Sequence, residues 1–171
     1  MKSRGLNIPP RMWQYINREP PLHLTPFHPL HILSQRIKNA LPGYKTHDNL
    51  KSTVSTYQNF DSLNIPASHS SRSLSDTYYV DEHRVLRTHT SAHQVELLKN
   101  GERKFIVVGP VFRRDEVDRF HSPAFHQLEA VHVFHPLELN TTESIFQSIS
   151  KEVHTKKNVT LTIVDEVEVR D

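Results

Sequence analysis

Two short segments of extended-chain character, separated by a charged loop, constrain this fold more than any other feature. Phe105-Ile106-Val107-Val108 is an unbroken apolar run, as expected of a short buried strand. From about Arg114 to Ala124 the chain is polar and charged, and from His126 to Phe134 it reads as extended again. Gln127, Glu129, Val131 and Val133 fall on one face of that second segment by period-two alternation. The pair predicts an antiparallel hairpin with a long connection.

Helices are expected to flank this hairpin. Pro29 suits a first helical position, Leu30, Leu33, Ile37 and Leu41 recur at helical spacing, and Pro42-Gly43 provides the stop. A second helix is expected over Ala92 to Lys99, ended by Asn100-Gly101. Ser91 and Gln94 have capping-box spacing, with Ser91 as the N-cap. Upstream, Pro9, Pro10, Pro20, Pro21, Pro26 and Pro29 remove backbone donors at a density that disfavours regular structure, so residues 1–28 read as an irregular arm. The polar stretch Tyr44 to Arg84 reads as loops with extended pieces at Val54 to Phe60 and Thr77 to Val80. Val159, Leu161, Ile163, Val167 and Val169 alternate as a last strand, and the sequence stops directly afterwards at Asp171. The fold class is α+β, an antiparallel sheet flanked by helices.

Composition excludes several classes. At 36% hydrophobic and 23% charged residues the chain is neither compositionally disordered nor membrane-spanning. The absence of cysteine removes disulfides, thiolate catalysis and cysteine-based zinc sites. A net charge of +2 makes no general case for nucleic-acid binding, so any RNA partner rests on local features. Lys2, Arg4, Arg11 and Arg18 against Glu19 in the first twenty positions are compatible with a mitochondrial transit segment, although serine is sparse there.

Single residues remain ambiguous. Glu129 on an antiparallel strand is, taken alone, better explained as a solvent-facing carboxylate. Arg113 and Arg114 could grip phosphate or could form surface ion pairs with Asp115 or Glu116. Thirteen histidines, with His23, His28 and His31 clustered and His89 and His93 four apart, raise a metal-binding alternative. Thr90 stands where a metallopeptidase would carry its catalytic glutamate, and no complete ligand set is visible, so no metal ligand is assigned.

Read together, the segments are specific. Arg87-Thr88-His89-Thr90-Ser91-Ala92-His93-Gln94, Val108 to Asp118, and His121-Ser122-Pro123-Ala124-Phe125-His126-Gln127-Leu128-Glu129-Ala130-Val131 resemble the catalytic domain of phenylalanyl-tRNA synthetases, nearest to the monomeric organellar form. The Arg-loop-Phe-His-Gln-Leu-Glu block is similar to class II motif 2. Asn59 to Leu63, Pro66, His69, Arg72 and Asp76 to Tyr79 match the segment after motif 1; Ser70 departs from the proline common there. The resemblance runs from about Leu22 to Phe134, so 29–171 would be a partial class II synthetase catalytic domain. Nothing resembles motif 3, the apolar pocket for the phenylalanine ring or the anticodon-binding domain.

The resemblance implies a ligase that activates phenylalanine with ATP and Mg²⁺ and transfers it to tRNA(Phe). Arg113 would hold the α-phosphate, with His121 and Phe125 completing the ATP side. His89, Ser91, Ala92, His93, Gln94, Phe120, His121, Ser122, Gln127, Leu128 and Glu129 would form the phenylalanine side. Within that set Gln127 and Glu129 would receive the ammonium. The expected setting is a monomer in the mitochondrial matrix, with the cytoplasm as alternative and no membrane partner. The chain alone is not expected to aminoacylate tRNA. Its rival readings are a non-catalytic synthetase-derived binding module and a histidine-rich metal protein.

Overall fold

The computed structural model describes residues 6–114 and 121–133. Despite its prolines, the beginning of the chain enters the core. Single helical turns form at Pro10–Met12 and Leu22–Leu24, with a four-residue helix α1 at Trp13–Ile16 between them. The prolines allow isolated turns and nothing longer. Leu6 and Asn7 donate main-chain bonds to Val80 and Tyr79. The Asn7 side chain donates to the carbonyls of Leu74 (2.9 Å) and Thr77 (2.8 Å) and accepts from the Tyr79 amide (2.6 Å). Ile8 and Met12 then pack with Tyr78, Leu86 and Phe112.

Helix α2, Pro29–Ala40, matches its sequence signals: proline opens it, and the His28 Nδ1 caps the Leu30 amide at 3.1 Å. Gly43, at φ +81°, makes the turn that follows, in a region that a side chain rarely adopts. Strand β1, Lys45–His47, was hidden in the polar stretch. It pairs in parallel with the later strand Lys104–Phe112, so the sheet is mixed rather than wholly antiparallel.

Strand β2, Thr53–Ser55, is extended as expected, but Val54 to Phe60 is not one extended piece: Thr56–Asn59 is a helical turn, α3. The cause is a capping box. The Ser55 hydroxyl accepts from the Gln58 amide (3.0 Å), and the Gln58 side chain returns to the Ser55 amide (2.9 Å). Strand β3, Arg84–Leu86, pairs antiparallel with β2 in a separate two-stranded sheet. Around Thr77 to Val80, only Tyr79 makes a strand-like bridge, to Val85.

After β3 the chain makes a tight 3₁₀ turn at Thr90–His93 and only then a helix, α4, at Gln94–Lys99, closed by Gly101 at φ +83°. The expected Ser91 cap does not form: the residue before α4 is His93, and it makes no side-chain cap bond. Strands β4, Lys104–Phe112, and β5, Ala124–His132, pair antiparallel over nine residues each, giving the three-stranded order β1-β4-β5. β4 is buried along most of its length, as its apolar run demands. Leu97 of α4 packs on Phe105 and Val107, with Val131 against them. The expected strand at 159–169 and the continuation of β5 to Phe134 lie outside the described residues.

Candidate functional site

The register of the hairpin decides which side chains meet. Val107 opposes Glu129, Gly109 opposes Gln127 and Val111 opposes Phe125. Directly opposed residues share a face, so Phe125, Gln127 and Glu129 line one side of β5 while His126, Leu128 and Ala130 line the other.

The turn Thr90–His93 sits against the Gln127–Glu129 stretch. The Ser91 hydroxyl donates to Glu129 Oε2 at 2.6 Å, and the Thr90 hydroxyl donates to the same oxygen at 3.1 Å. The Thr90 main-chain N–H donates to Gln127 Oε1 at 3.2 Å. Ser91 is therefore spent on the carboxylate and not on the helix end. Glu129 is half-buried, held at one oxygen, and its Oε1 accepts nothing from the described residues. A carboxylate braced this way is a fixed acceptor for a donor arriving from the cleft.

At the other end of the same strand, Arg113 lays its guanidinium over the Phe125 ring, 5.3 Å from the centroid. Its Nε donates to the Thr88 carbonyl at 3.2 Å. Thr88 is itself clamped by the fully buried Asn59, whose amide donates to the Thr88 hydroxyl (3.0 Å) and accepts from its N–H (3.0 Å). Among the described residues no carboxylate pairs with Arg113. His89 lies near Arg113 and Asn59. Burial, and then the nearby Arg113 cation, pull its pKa down to about 4, so it is neutral at pH 7.

The structure gathers Ser91, Gln127 and Glu129 at one end and Arg113 and Phe125 at the other, with His89 close to Arg113. Other residues singled out in the sequence lie elsewhere. Ala92 is buried in the core with Val54, Phe60 and Val85. His93 is buried and donates to the Lys51 carbonyl at 3.2 Å, and Gln94 is buried at the start of α4. Leu128 is on the other face of β5. Ser122 turns its hydroxyl back to the Ala124 carbonyl (2.8 Å), and His121 is exposed beside it. Phe120 lies outside the described residues.

Three residues in this arrangement stand in the resembling segments but receive no role from the sequence: Asn59, Thr90 and Arg87. Arg87 is 1% exposed, donates from Nε to the Pro110 carbonyl (2.9 Å) and has no carboxylate partner among the described residues. Burial pulls its pKa down to about 10, which still leaves it cationic at pH 7. A Cβ at Gly109 would collide with this guanidinium, which explains a glycine in the middle of β4. Only a buried partner could have exposed that signal.

A cavity of about 500 Å³ is bordered by Tyr15, Leu22, His23, Leu50, Pro110 and His126. It takes in Ser122 and Phe125 but neither Gln127 nor Glu129. The clustered histidines have separate tasks: His23 Nε2 donates to the Asp48 carbonyl (2.8 Å), His28 caps α2, and His31 Nδ1 donates to the His23 carbonyl (3.1 Å). No helix among the described residues is long and apolar enough to cross a membrane.

A motif 2-like hairpin, with an arginine lying on an aromatic ring and a braced carboxylate further along one strand, defines a class II aminoacyl-tRNA synthetase core. The family profile described as tRNA synthetases class II core domain (F) matches residues 17–164, and the chain belongs to that family. Among curated relatives, the mitochondrial phenylalanine–tRNA ligase of Rattus norvegicus is 40% identical over 163 residues, covering 86% of this chain and 34% of the relative. The chloroplastic/mitochondrial phenylalanine–tRNA ligase of Arabidopsis thaliana is 44% identical over 139 residues, covering 78% of this chain and 32% of the relative. The chain thus spans about a third of the length of these relatives. A pyrrolysyl-tRNA synthetase from Desulfitobacterium hafniense shares the fold, with a TM-score of 0.60 at 17% identity over 72% of this chain and 47% of that one.

Proposed function

We propose that this chain carries the motif 2 part of a phenylalanine–tRNA ligase site, which activates phenylalanine with ATP and transfers it to tRNA(Phe) in organellar translation. One observation carries the reading. A single strand holds an arginine-capped aromatic ring at one end and a hydroxyl-braced carboxylate at the other, which suits a nucleotide phosphate beside an amino-acid ammonium.

The chemistry follows from the residues. The phenylalanine carboxylate attacks the α-phosphate of ATP, forming the adenylate and releasing pyrophosphate. Negative charge grows on the phosphoryl oxygens in the transition state. With its Nε held by Thr88, Arg113 keeps its terminal nitrogens for that charge. The Phe125 ring, already used as a face by Arg113, offers adenine a stacking surface. Glu129 Oε1 takes the substrate ammonium, with Gln127 beside it. Ser91 lines the amino-acid end, and the neutral His89 stands near Arg113. Mg²⁺, which would come with ATP and be held largely by its phosphate oxygens, would supply charge neutralisation at the phosphates. Transfer to the 2′-hydroxyl of the terminal adenosine completes the reaction. The mitochondrial matrix fits the relatives' names and the basic start of the chain.

The test is phenylalanine-dependent ATP–pyrophosphate exchange, run on the chain and on a form extended to the length of its relatives. We expect exchange from the extended form and little from the chain alone, because none of the described residues supplies a motif 3 arginine or the walls of a ring pocket. An extended form that activates a different amino acid would overturn the reading. In that form, Glu129→Gln should raise the KM for phenylalanine about tenfold or more with little change for ATP, since a neutral amide cannot replace a charge-assisted bond. Equal losses for both substrates would count against the ammonium role.

A further inference from the structure

The bond pattern at the turn before α4 assigns a task to a residue outside the motif 2 set. We propose that Thr90 is a positioning residue for an ammonium group: it holds the side-chain oxygens of Gln127 and Glu129 in one acceptor corner. The proposal rests on the reading that this face receives the amino-acid end of a substrate.

Thr90 reaches both residues, and by different atoms. Its main-chain N–H donates to Gln127 Oε1 (3.2 Å), and its hydroxyl donates to Glu129 Oε2 (3.1 Å). An amide oxygen and nitrogen are nearly the same size, so packing alone does not orient a glutamine side chain. A main-chain N–H can only donate. It therefore turns the oxygen of Gln127 inward beside Glu129 and leaves that oxygen a second lone pair. The hydroxyls of Thr90 and Ser91 both land on Oε2 of Glu129, which fixes the carboxylate plane and leaves Oε1 without a donor among the described residues. The result is a cluster of oxygen acceptors, which an ammonium matches and a carboxylate does not.

The turn makes this possible. In a regular helix starting at Ser91, the Thr90 N–H would precede the first turn and point along the helix axis. The 3₁₀ turn over Thr90–His93 places that N–H and both hydroxyls against β5 together. Thr90 is 2% exposed, so its hydroxyl has no competing water. Losing it leaves Glu129 tethered through Ser91 alone.

The experiment compares L-phenylalanine with 3-phenylpropanoate, which has the ring and carboxylate but no ammonium. Both are titrated by NMR into the form extended to the length of its relatives and into the T90V and T90S variants of that form. The unmodified extended form should prefer L-phenylalanine. T90V, nearly isosteric, should lose about tenfold in affinity for L-phenylalanine, the size of one hydrogen bond to a charged group, and little for 3-phenylpropanoate. T90S, which restores the hydroxyl, should recover the preference. A T90V chain that keeps the preference overturns the role of Thr90 and leaves the proposed function standing. Equal losses for both ligands would mark a merely structural residue and also overturn it. No preference in the unmodified extended form would overturn the ammonium reading itself, and this inference with it. Trp13 fluorescence melts of the three forms separate lost folding from lost binding.

Discussion

Replacing Gly109 by alanine should destabilise the fold through a side chain that is distant in sequence. A Cβ at this position would fall on the Arg87 guanidinium, whose Cζ would be 3.4 Å away. Arg87 cannot swing into solvent to make room, because it is 1% exposed and its Nε is bound to the Pro110 carbonyl at 2.9 Å. Overpacking a filled site costs about 1–3 kcal/mol. Losing the bond from a charged donor costs about 1.5–3 kcal/mol more if the guanidinium is displaced. Alanine also restricts the unfolded chain, which offsets about 0.4–1 kcal/mol where the native backbone tolerates it, as it does here. The net loss is about 2–4 kcal/mol, a large part of the roughly 5–15 kcal/mol expected for a domain.

Urea unfolding followed through Trp13, the single tryptophan, reads this out, because Trp13 packs against the core cluster of Met12, Tyr78 and Phe112. With an m-value of about 2 kcal/mol/M, the midpoint should fall by roughly 1–2 M. A double-mutant cycle with Arg87→Met isolates the contact: once the guanidinium is gone, Gly109→Ala should cost much less, giving a coupling of at least about 1.5 kcal/mol. A Gly109→Ala midpoint within about 0.3 M of the parent, well under the expected shift, would refute the argument, as would strict additivity. Either outcome would mean that Arg87 is free to move.

Acid should weaken the fold through His89. Its native pKa, about 4, lies below the ordinary 6.5, so the unfolded chain takes up a proton that the native state refuses. The contribution is complete above pH 6.5 and fades as pH falls toward 4, by up to about 3 kcal/mol. Urea midpoints from pH 7.5 to 4.5 should fall less steeply in His89→Gln, the remaining slope coming from His126, which burial also lowers to about 4; an unchanged slope would assign the acid sensitivity elsewhere. In the extended form, Arg113→Ala should lower ATP–pyrophosphate exchange about 100-fold or more, as expected for a lost transition-state charge contact; near-normal exchange would make Arg113 an ordinary surface arginine.

What the sequence disclosed follows the range over which each signal acts. The β4–β5 hairpin was legible because burial on one strand and alternation on the other are written in consecutive residues. Helix α2 was legible because proline, apolar spacing and Pro42-Gly43 all lie within it. The Ser55-x-x-Gln58 box was equally local, and the extended reading of Val54 to Phe60 failed by overlooking it. Strand β1 was not legible. Lys45–His47 is polar and only three residues long, and it becomes a strand because β4 offers it an edge.

Ser91 shows why local rules give way at a site. Its spacing to Gln94 fits a capping box as well as Ser55 to Gln58 does, yet one box forms and the other does not. The difference is the acceptor across the cleft. Ser55 has the Gln58 side chain as its partner, worth about 1 kcal/mol as a cap. Ser91 can donate its proton to Glu129, and a bond to a charged acceptor is stronger than one between neutral groups by roughly a factor of two. The half-buried carboxylate would otherwise lose that donor, at a cost larger than an uncapped helix start. The chain therefore tightens into a 3₁₀ turn, delays α4 until Gln94 and gives both hydroxyls to Glu129. A local preference overruled in this way locates the carboxylate around which the turn is built.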